Sequence, residues 1–220
     1  MSGAWEQSPV TGPSYLKGVI ARELASVVGA EHVTDDVEAR QSAAADWSWQ
    51  SKFIAYKGLE QPAADFVVSP ASTAEVQRVV EIANDHVIPI IPRGGGSGTQ
   101  GGTLAPYGGI ALDLSRLNRI VEIDTDSLVV TTEAGIDGPT LETALNEHGL
   151  TLAHYPGSYN MGASIGGFIA ARGSGVVSTK YGKAENQVLQ VEAVLPPGRT
   201  VTTLRVPSHA AGPDLLQTLV

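Results

Sequence analysis

Residues 88–102 read Ile-Pro-Ile-Ile-Pro-Arg-Gly-Gly-Gly-Ser-Gly-Thr-Gln-Gly-Gly. A short apolar run, punctuated by prolines, empties into a segment almost without side chains. Glycine loses more conformational freedom on ordering than any other residue, so six glycines in the nine positions 94–102 need a reason. Backbone that must approach a ligand closely, with its N–H groups turned toward an anion, supplies one, and a diphosphate fits that description. A flexible linker is the alternative, but linkers are rarely entered from a β-branched run through Pro-Arg.

The flanking sequence gives this loop an address. Phe66-Val67-Val68-Ser69-Pro70 reads as a short strand stopped by proline. Ser72-Thr73-Ala74-Glu75 is a capping box, followed by Val76, Val79, Val80 and Ala83 on one helical face as far as His86. A second strand is expected from Val87 to Ile91. Strand, helix and strand with short links form a βαβ unit with the two strands parallel, which puts the glycine loop at a strand's carboxyl end, where α/β sheets bind ligands.

Elsewhere the pattern is more local. Residues 1–13 read as a loose arm, and Leu16, Val19, Ile20, Leu24, Val27 and Val28 as a helix ended by Gly29. Residues 31–61 carry no clear period; Asp46-Trp47-Ser48-Trp49 suits packing on a neighbouring surface or lining a site. Gly109–Leu114 is a strand candidate. Ile120–Ile123 and Leu128–Thr132 flank a polar turn, and Val188–Leu195 and Thr200–Leu204 form a second expected hairpin. Between them Asp137 caps a helix carrying Leu141, Ala144, Leu145 and His148, closed by Gly149. The expected class is therefore α+β with two small subdomains; the resemblance named below implies an arm and helix over 1–61 and subdomains at about 62–117 and 118–220.

Composition removes several functions. A net charge of −9 argues against nucleic acid as the main partner, because phosphate contacts need clustered Lys and Arg. Without cysteine there is no disulfide, Cys-ligated zinc or thiol catalysis. No membrane-length apolar run or signal-peptide pattern is present, which makes a cytoplasmic address the expectation. The five histidines, at 32, 86, 148, 154 and 209, show no metal or triad spacing.

Gly96-Ser97-Gly98-Thr99-Gln100-Gly101 matches G-x-G-x-x-G, but that fingerprint works only when its last glycine opens a helix. Gly102-Thr103-Leu104-Ala105-Pro106 cannot be that helix, and no Lys-Ser/Thr follows for a Walker loop. A second cluster of small residues runs from Tyr155-Pro156-Gly157-Ser158 through Gly162-Ala163-Ser164-Ile165-Gly166-Gly167 to Ala171-Arg172-Gly173-Ser174-Gly175. Ser164–Ala171 suits a helix lying close to a ligand or to a sheet; either selects small residues.

Taken together, Pro-Arg-Gly-Gly-Gly at 92–96, Ser-Ile-Gly-Gly at 164–167 and Lys-Tyr-Gly at 180–182 resemble the FAD-binding domain of the vanillyl-alcohol oxidase / p-cresol methylhydroxylase (PCMH-type) flavoproteins. Asp65–Pro70 before the capping box is in keeping, and the resemblance covers roughly residues 62–220. His154-Tyr155-Pro156, Ser178–Lys183 and Ala210–Leu215 look most like the branch of alkyldihydroxyacetonephosphate synthase and the D-lactate/glycolate FAD-linked oxidases.

The resemblance implies a small βαβ subdomain and a mostly antiparallel one, flanked by helices, clasping an extended FAD. Carried over by position, Pro92, Arg93, Gly94, Gly95, Gly96, Ser97, Gly98, Thr99 and Gln100 would wrap the pyrophosphate with backbone amides. Pro156, Gly157 and Ser158, with Gly162, Ala163, Ser164, Gly166 and Gly167, would run beside the cofactor. Ala171, Arg172, Gly173 and Ser174 would add a contact. Covalent relatives attach flavin through a histidine after the glycine triplet; Ser97 stands there, which implies non-covalent FAD. Relatives continue past position 220 into a segment completing the flavin site and a substrate domain, so the chain reads as the amino-terminal part of a longer enzyme. The implied reaction is oxidation of a small-molecule substrate, a 2-hydroxy acid or similar alcohol, by hydride transfer to flavin N5. A synthase-type flavin transferase and a non-catalytic flavin-binding module are the alternatives, and a homodimer formed through the absent parts is a further expectation. No catalytic residue is assigned.

Overall fold

The computed structural model describes residues 14–220, so the arm expected over 1–13 lies outside the described residues. Helix α1 (Ser14–Val28) places Ile20, Leu24 and Val28 four apart on one stripe, all at most 6% exposed. Strand β1 (Val33–Thr34) follows. Then come two short helices, α2 (Val37–Ala44), capped by Asp36, and α3 (Trp49–Tyr56), capped by Ser48. Strand β2 (Phe66–Val68) is fully buried.

Helix α4 (Thr73–Asp85) starts on the expected capping chemistry. The Glu75 N–H donates to Ser72 Oγ at 3.2 Å, while the Glu75 carboxylate reaches one residue further back than a capping box requires, to the Ala71 N–H at 2.8 Å. The next strand differs from its expected limits. Val87 takes φ +55° and Ile88 N–H returns to Ala83 O at 2.7 Å, so these apolar residues close the helix instead of starting a strand. Strand β3 is Ile90–Arg93, and β4 is Ile110–Asp113.

These strands form one sheet of order β1-β2-β4-β3, in which β2 and β3 both run parallel to β4 and β1 pairs antiparallel with β2. Ile20, Leu24 and Val28 meet Phe66, Val68, Val79, Ile82, Ile110 and Leu112 in one core, so the first subdomain draws in α1 and β1 from upstream of residue 62. Fully burying each such side chain contributes about 1.5–3 kcal/mol. Asp65 bolts the layers together: Lys17 Nζ lies 3.1 Å from its Oδ1, and Oδ2 accepts the Gly109 N–H at 2.7 Å.

The second subdomain is built from hairpins. Strands β5 (Ile120–Asp124) and β6 (Val129–Thr132) pair antiparallel with an irregularity between Ile120 and Glu122. Asp124 Oδ1 takes the N–H groups of Asp126 and Ser127 to shape their turn. Helix α5 (Gly138–Asn146) packs Leu141 and Leu145 with Ile136 against Ile120, Ile123 and Val130. Helix α6 (Ile165–Ala170) is capped by Ser164, and α7 (Ser178–Tyr181) follows. Strands β7 (Glu192–Leu195) and β8 (Arg199–Thr202) form the second hairpin, shorter than its expected span.

Candidate functional site: a glycine cradle between the subdomains

Arg93 ends β3, and the chain then crosses from 94 to 109 before entering β4. Among the described residues, no N–H from Gly94 through Thr103 donates to a main-chain carbonyl or a side chain. Backbone N–H groups are obligatory donors, so these ten, in a loop that is half-buried to exposed, are open to water or to a ligand.

The glycines here are dictated by space. A Cβ on Gly95 would lie 1.7 Å from Gly162 O, and one on Gly94 would lie 2.3 Å from Ser164 Oγ. No side chain fits where the end of β3 meets the segment before α6. The structure thus brings Gly94 and Gly95 together with Gly162, Ala163 and Ser164. They share a cleft of about 250 Å³ lined by Gly94, Gly95, Ser115, Asn118, Gly135, Asp137 and Gly162. A larger apolar hollow, about 730 Å³ between α4, Pro89, Tyr107 and Pro196, contains none of the expected site residues.

Other expected residues have visible local work. The Arg93 guanidinium turns away from the cleft: Nε donates to Ala43 O at 3.0 Å and Nη1 to Gly94 O at 3.2 Å. Pro92, Gly96 and Gly98 can offer a ligand only backbone, whereas Ser97, Thr99 and Gln100 also carry hydroxyl and amide side chains. Gly166 meets Ala134, with its N–H on Ala134 O at 2.8 Å, and the Gly167 N–H donates to Ser164 Oγ at 3.2 Å. Pro156, Gly157 and Ser158 lead into the turn around Tyr159, held by Tyr159 N–H to Pro156 O. Arg172 has φ +49°, while the Gly173 N–H donates to Phe168 O. Neither 156–158 nor 171–174 lines the 250 Å³ cleft.

Four cleft residues are absent from the sequence-derived set: Ser115, Asn118, Gly135 and Asp137. Asp137 was legible only as a helix cap, which it also is, accepting from Thr140 N–H at 2.9 Å. Gly135 is forced by a close approach, since a Cβ there would sit 1.8 Å from Leu114 O. Nothing in the spacing marks Ser115 or Asn118.

His154 is 2% exposed, and neither ring nitrogen has a partner; its ring meets Phe168 edge-on at 4.9 Å. Burial pushes its pKa down, against an opposing pull from Glu185. Among the described residues no cluster of three or more His, Cys, Asp or Glu could hold a metal, and no helix is long and apolar enough to cross a membrane.

The loop leaves N–H donors without acceptors, and at Gly94 and Gly95 a second small-residue segment meets it. Comparison with known proteins gives the family. Residues 64–204 match the model of the FAD binding domain family. The chain is 35% identical over 94% of its length to the uncharacterized FAD-linked oxidoreductase YgcU of Escherichia coli (strain K12), of which it spans 43%. It is 38% identical over 71% of its length to the mitochondrial D-lactate dehydrogenase [cytochrome] of Arabidopsis thaliana, of which it spans 27%. An alkyldihydroxyacetonephosphate synthase structure superposes with a TM-score of 0.84 at 29% identity, covering 92% of this chain and 37% of that one. A p-cresol methylhydroxylase structure superposes with a TM-score of 0.74 at 19% identity, covering 96% and 42%, and shows the shared PCMH-type fold expected from the two glycine clusters.

Proposed function

This chain belongs to the FAD binding domain family, and on that premise we propose that it is the cofactor-holding part of a flavin-dependent oxidoreductase acting on a 2-hydroxy acid or similar small alcohol. The observation that carries the reading is the unclaimed N–H run of Gly94–Thr103, whose first two residues meet Gly162–Ser164 too closely for side chains. Those amides would hold the pyrophosphate, with Ser115, Asn118 and Asp137 offering polar groups along the same wall. Gly157, Ser158 and Ala171–Ser174 would extend the contact along the cofactor. When bound, the flavin supplies the hydride acceptor, at N5; the protein binds, orients and excludes water. Ser97 after the glycine triplet favours non-covalent attachment.

The D-lactate dehydrogenase relative supports the 2-hydroxy acid, and the synthase structure supports a second reading, a flavin transferase without net oxidation. The chain spans less than half of each of these proteins, so both concern a whole protein's activity. The test is to incubate the chain with FAD, desalt and record the visible spectrum, and to add D-lactate or another 2-hydroxy acid without oxygen to a chain extended to the length of its relatives. Retained flavin that acid releases is the expected result for the chain, and bleaching by the hydroxy acid for the longer protein. Retained flavin that no hydroxy acid bleaches in the longer protein would favour the transferase or a binding module. A colourless, folded protein would overturn the cradle.

A further inference from the structure

Behind the glycine loop lies a segment outside the family-matched residues 64–204. Residues 42–51, from the end of α2 to the start of α3, form a backing plate. Trp47 N–H donates to Gly98 O at 2.8 Å, Thr103 Oγ1 to Ala44 O at 2.9 Å, and Arg93 Nε to Ala43 O at 3.0 Å. The sequence motif here is Asp46-Trp47-Ser48-Trp49, and its burial is inverted. Trp47 and Trp49 are exposed, whereas Asp46 and Ser48 are 4% and 0% exposed.

A buried carboxylate without donors is costly. Asp46 Oδ1 is satisfied by the Ser48 N–H at 2.9 Å, but Oδ2 is buried with no partner. Oδ2 faces the loop, 3.9 Å from where a Cβ of Gly98 would stand. A carboxylate oxygen lacking a donor therefore sits beside a run of N–H groups lacking acceptors. A rotation of the Ser97–Gly98 peptide would bring the Gly98 N–H to Oδ2 and leave the Trp47–Gly98 O bond in place, and Gly98 has no side chain to hinder it.

We propose that Asp46 is a positioning residue for the cofactor: in the loaded protein its Oδ2 accepts an N–H of the loop near Gly98, fixing the loop from behind while neighbouring amides face the diphosphate. This rests on the FAD reading above. It assigns to the region upstream of the matched domain a share in cofactor affinity, and it makes loop closure part of loading.

Asp46→Asn tests it, because the amide keeps an oxygen for Ser48 and puts an NH₂ donor where the loop needs an acceptor. FAD affinity, read by quenching of flavin fluorescence, is expected to fall about tenfold or more, the worth of one charge-assisted hydrogen bond. The melting temperature of the FAD-free protein is expected to stay unchanged, since Oδ2 is unpaired there. Unchanged affinity would reduce Asp46 to scaffolding, and tighter binding would make it a repulsive charge near phosphate; either overturns the assignment. Should the variant fail to fold, amide hydrogen exchange on the wild-type chain decides. FAD is expected to slow exchange in 44–51 as well as in 94–103, and protection confined to the loop would overturn the proposal. A wild-type chain that holds no FAD would remove the cofactor reading and this assignment with it.

Discussion

The two subdomains flanking the cleft are held together by different means. The first has a sheet whose central strands are buried on both faces and a continuous core from α1 through β2, α4 and β4. The second has two separate hairpins with no fully buried residue in any of their strands, and two small clusters around Leu141 and Phe168. Its order comes instead from polar bracing. Glu142 alone accepts from Thr151 Oγ1, the Tyr155 hydroxyl and the Leu152 N–H. On the proposed reading, a cofactor held in this cleft would meet two surfaces that respond differently to mutation and to pH.

The largest effect is expected where the walls touch. Gly95→Ala would force Cβ into Gly162 O, so FAD retention after desalting should be lost altogether, whichever wall yields. Retention at the wild-type level would mean the walls move apart freely. Next comes the contrast between the cores. Phe66→Ala should cost about 3–5 kcal/mol in denaturant unfolding, whereas Val121→Ala, on an exposed hairpin position, should cost under about 1 kcal/mol. Equal losses would refute the division.

Acid should find the braced wall first. Arg119, bonded to the Glu133 carboxyl, holds its pKa below the ordinary value. A depressed carboxylate stabilises the fold above its unfolded pKa of about 4.3, and that contribution is lost as pH falls through the folded value. Melting temperature against pH should therefore drop below about 4.3 in the wild type and less steeply in Glu133→Gln. An identical slope in both would show the pair adds nothing. The smallest effect concerns His154, which burial keeps neutral. Its contribution is complete above the unfolded value of about 6.5 and declines as pH falls from there toward the lower folded one. His154→Phe should flatten that shallow decline and leave the melting temperature at pH 8 unchanged or raised, since it removes two unpaired buried nitrogens. A several-degree loss at pH 8 would instead mean the ring nitrogens are satisfied in solution.

What the sequence disclosed follows the same division between local and distant causes. Ser72 and Asp137 cap the helices expected of them, because a cap is decided within three residues. The two glycine clusters stood out in the sequence, though only geometry reveals that Gly95 and Gly162 meet. Residues 31–61 were opaque for a physical reason. Helix α2 buries only Ala43 and Ala44, and α3 exposes its aromatics, so neither carries an apolar stripe. Asn118 and Ser115 reach the cleft through the path of the chain after β4, which no spacing encodes.

The strand order carries one more consequence. Because β4 lies between β2 and β3, the glycine loop is also the crossover joining two hydrogen-bonded parallel neighbours, β3 and β4. Parallel neighbours need a connection of about a dozen residues or more, and here that span is a glycine-rich loop where a helix usually sits. Length in this stretch is therefore committed twice. Point changes in 94–109 can retune what is bound, but an engineer who shortens it severs the register of the sheet, and the loss would look like misfolding before it looked like a binding defect.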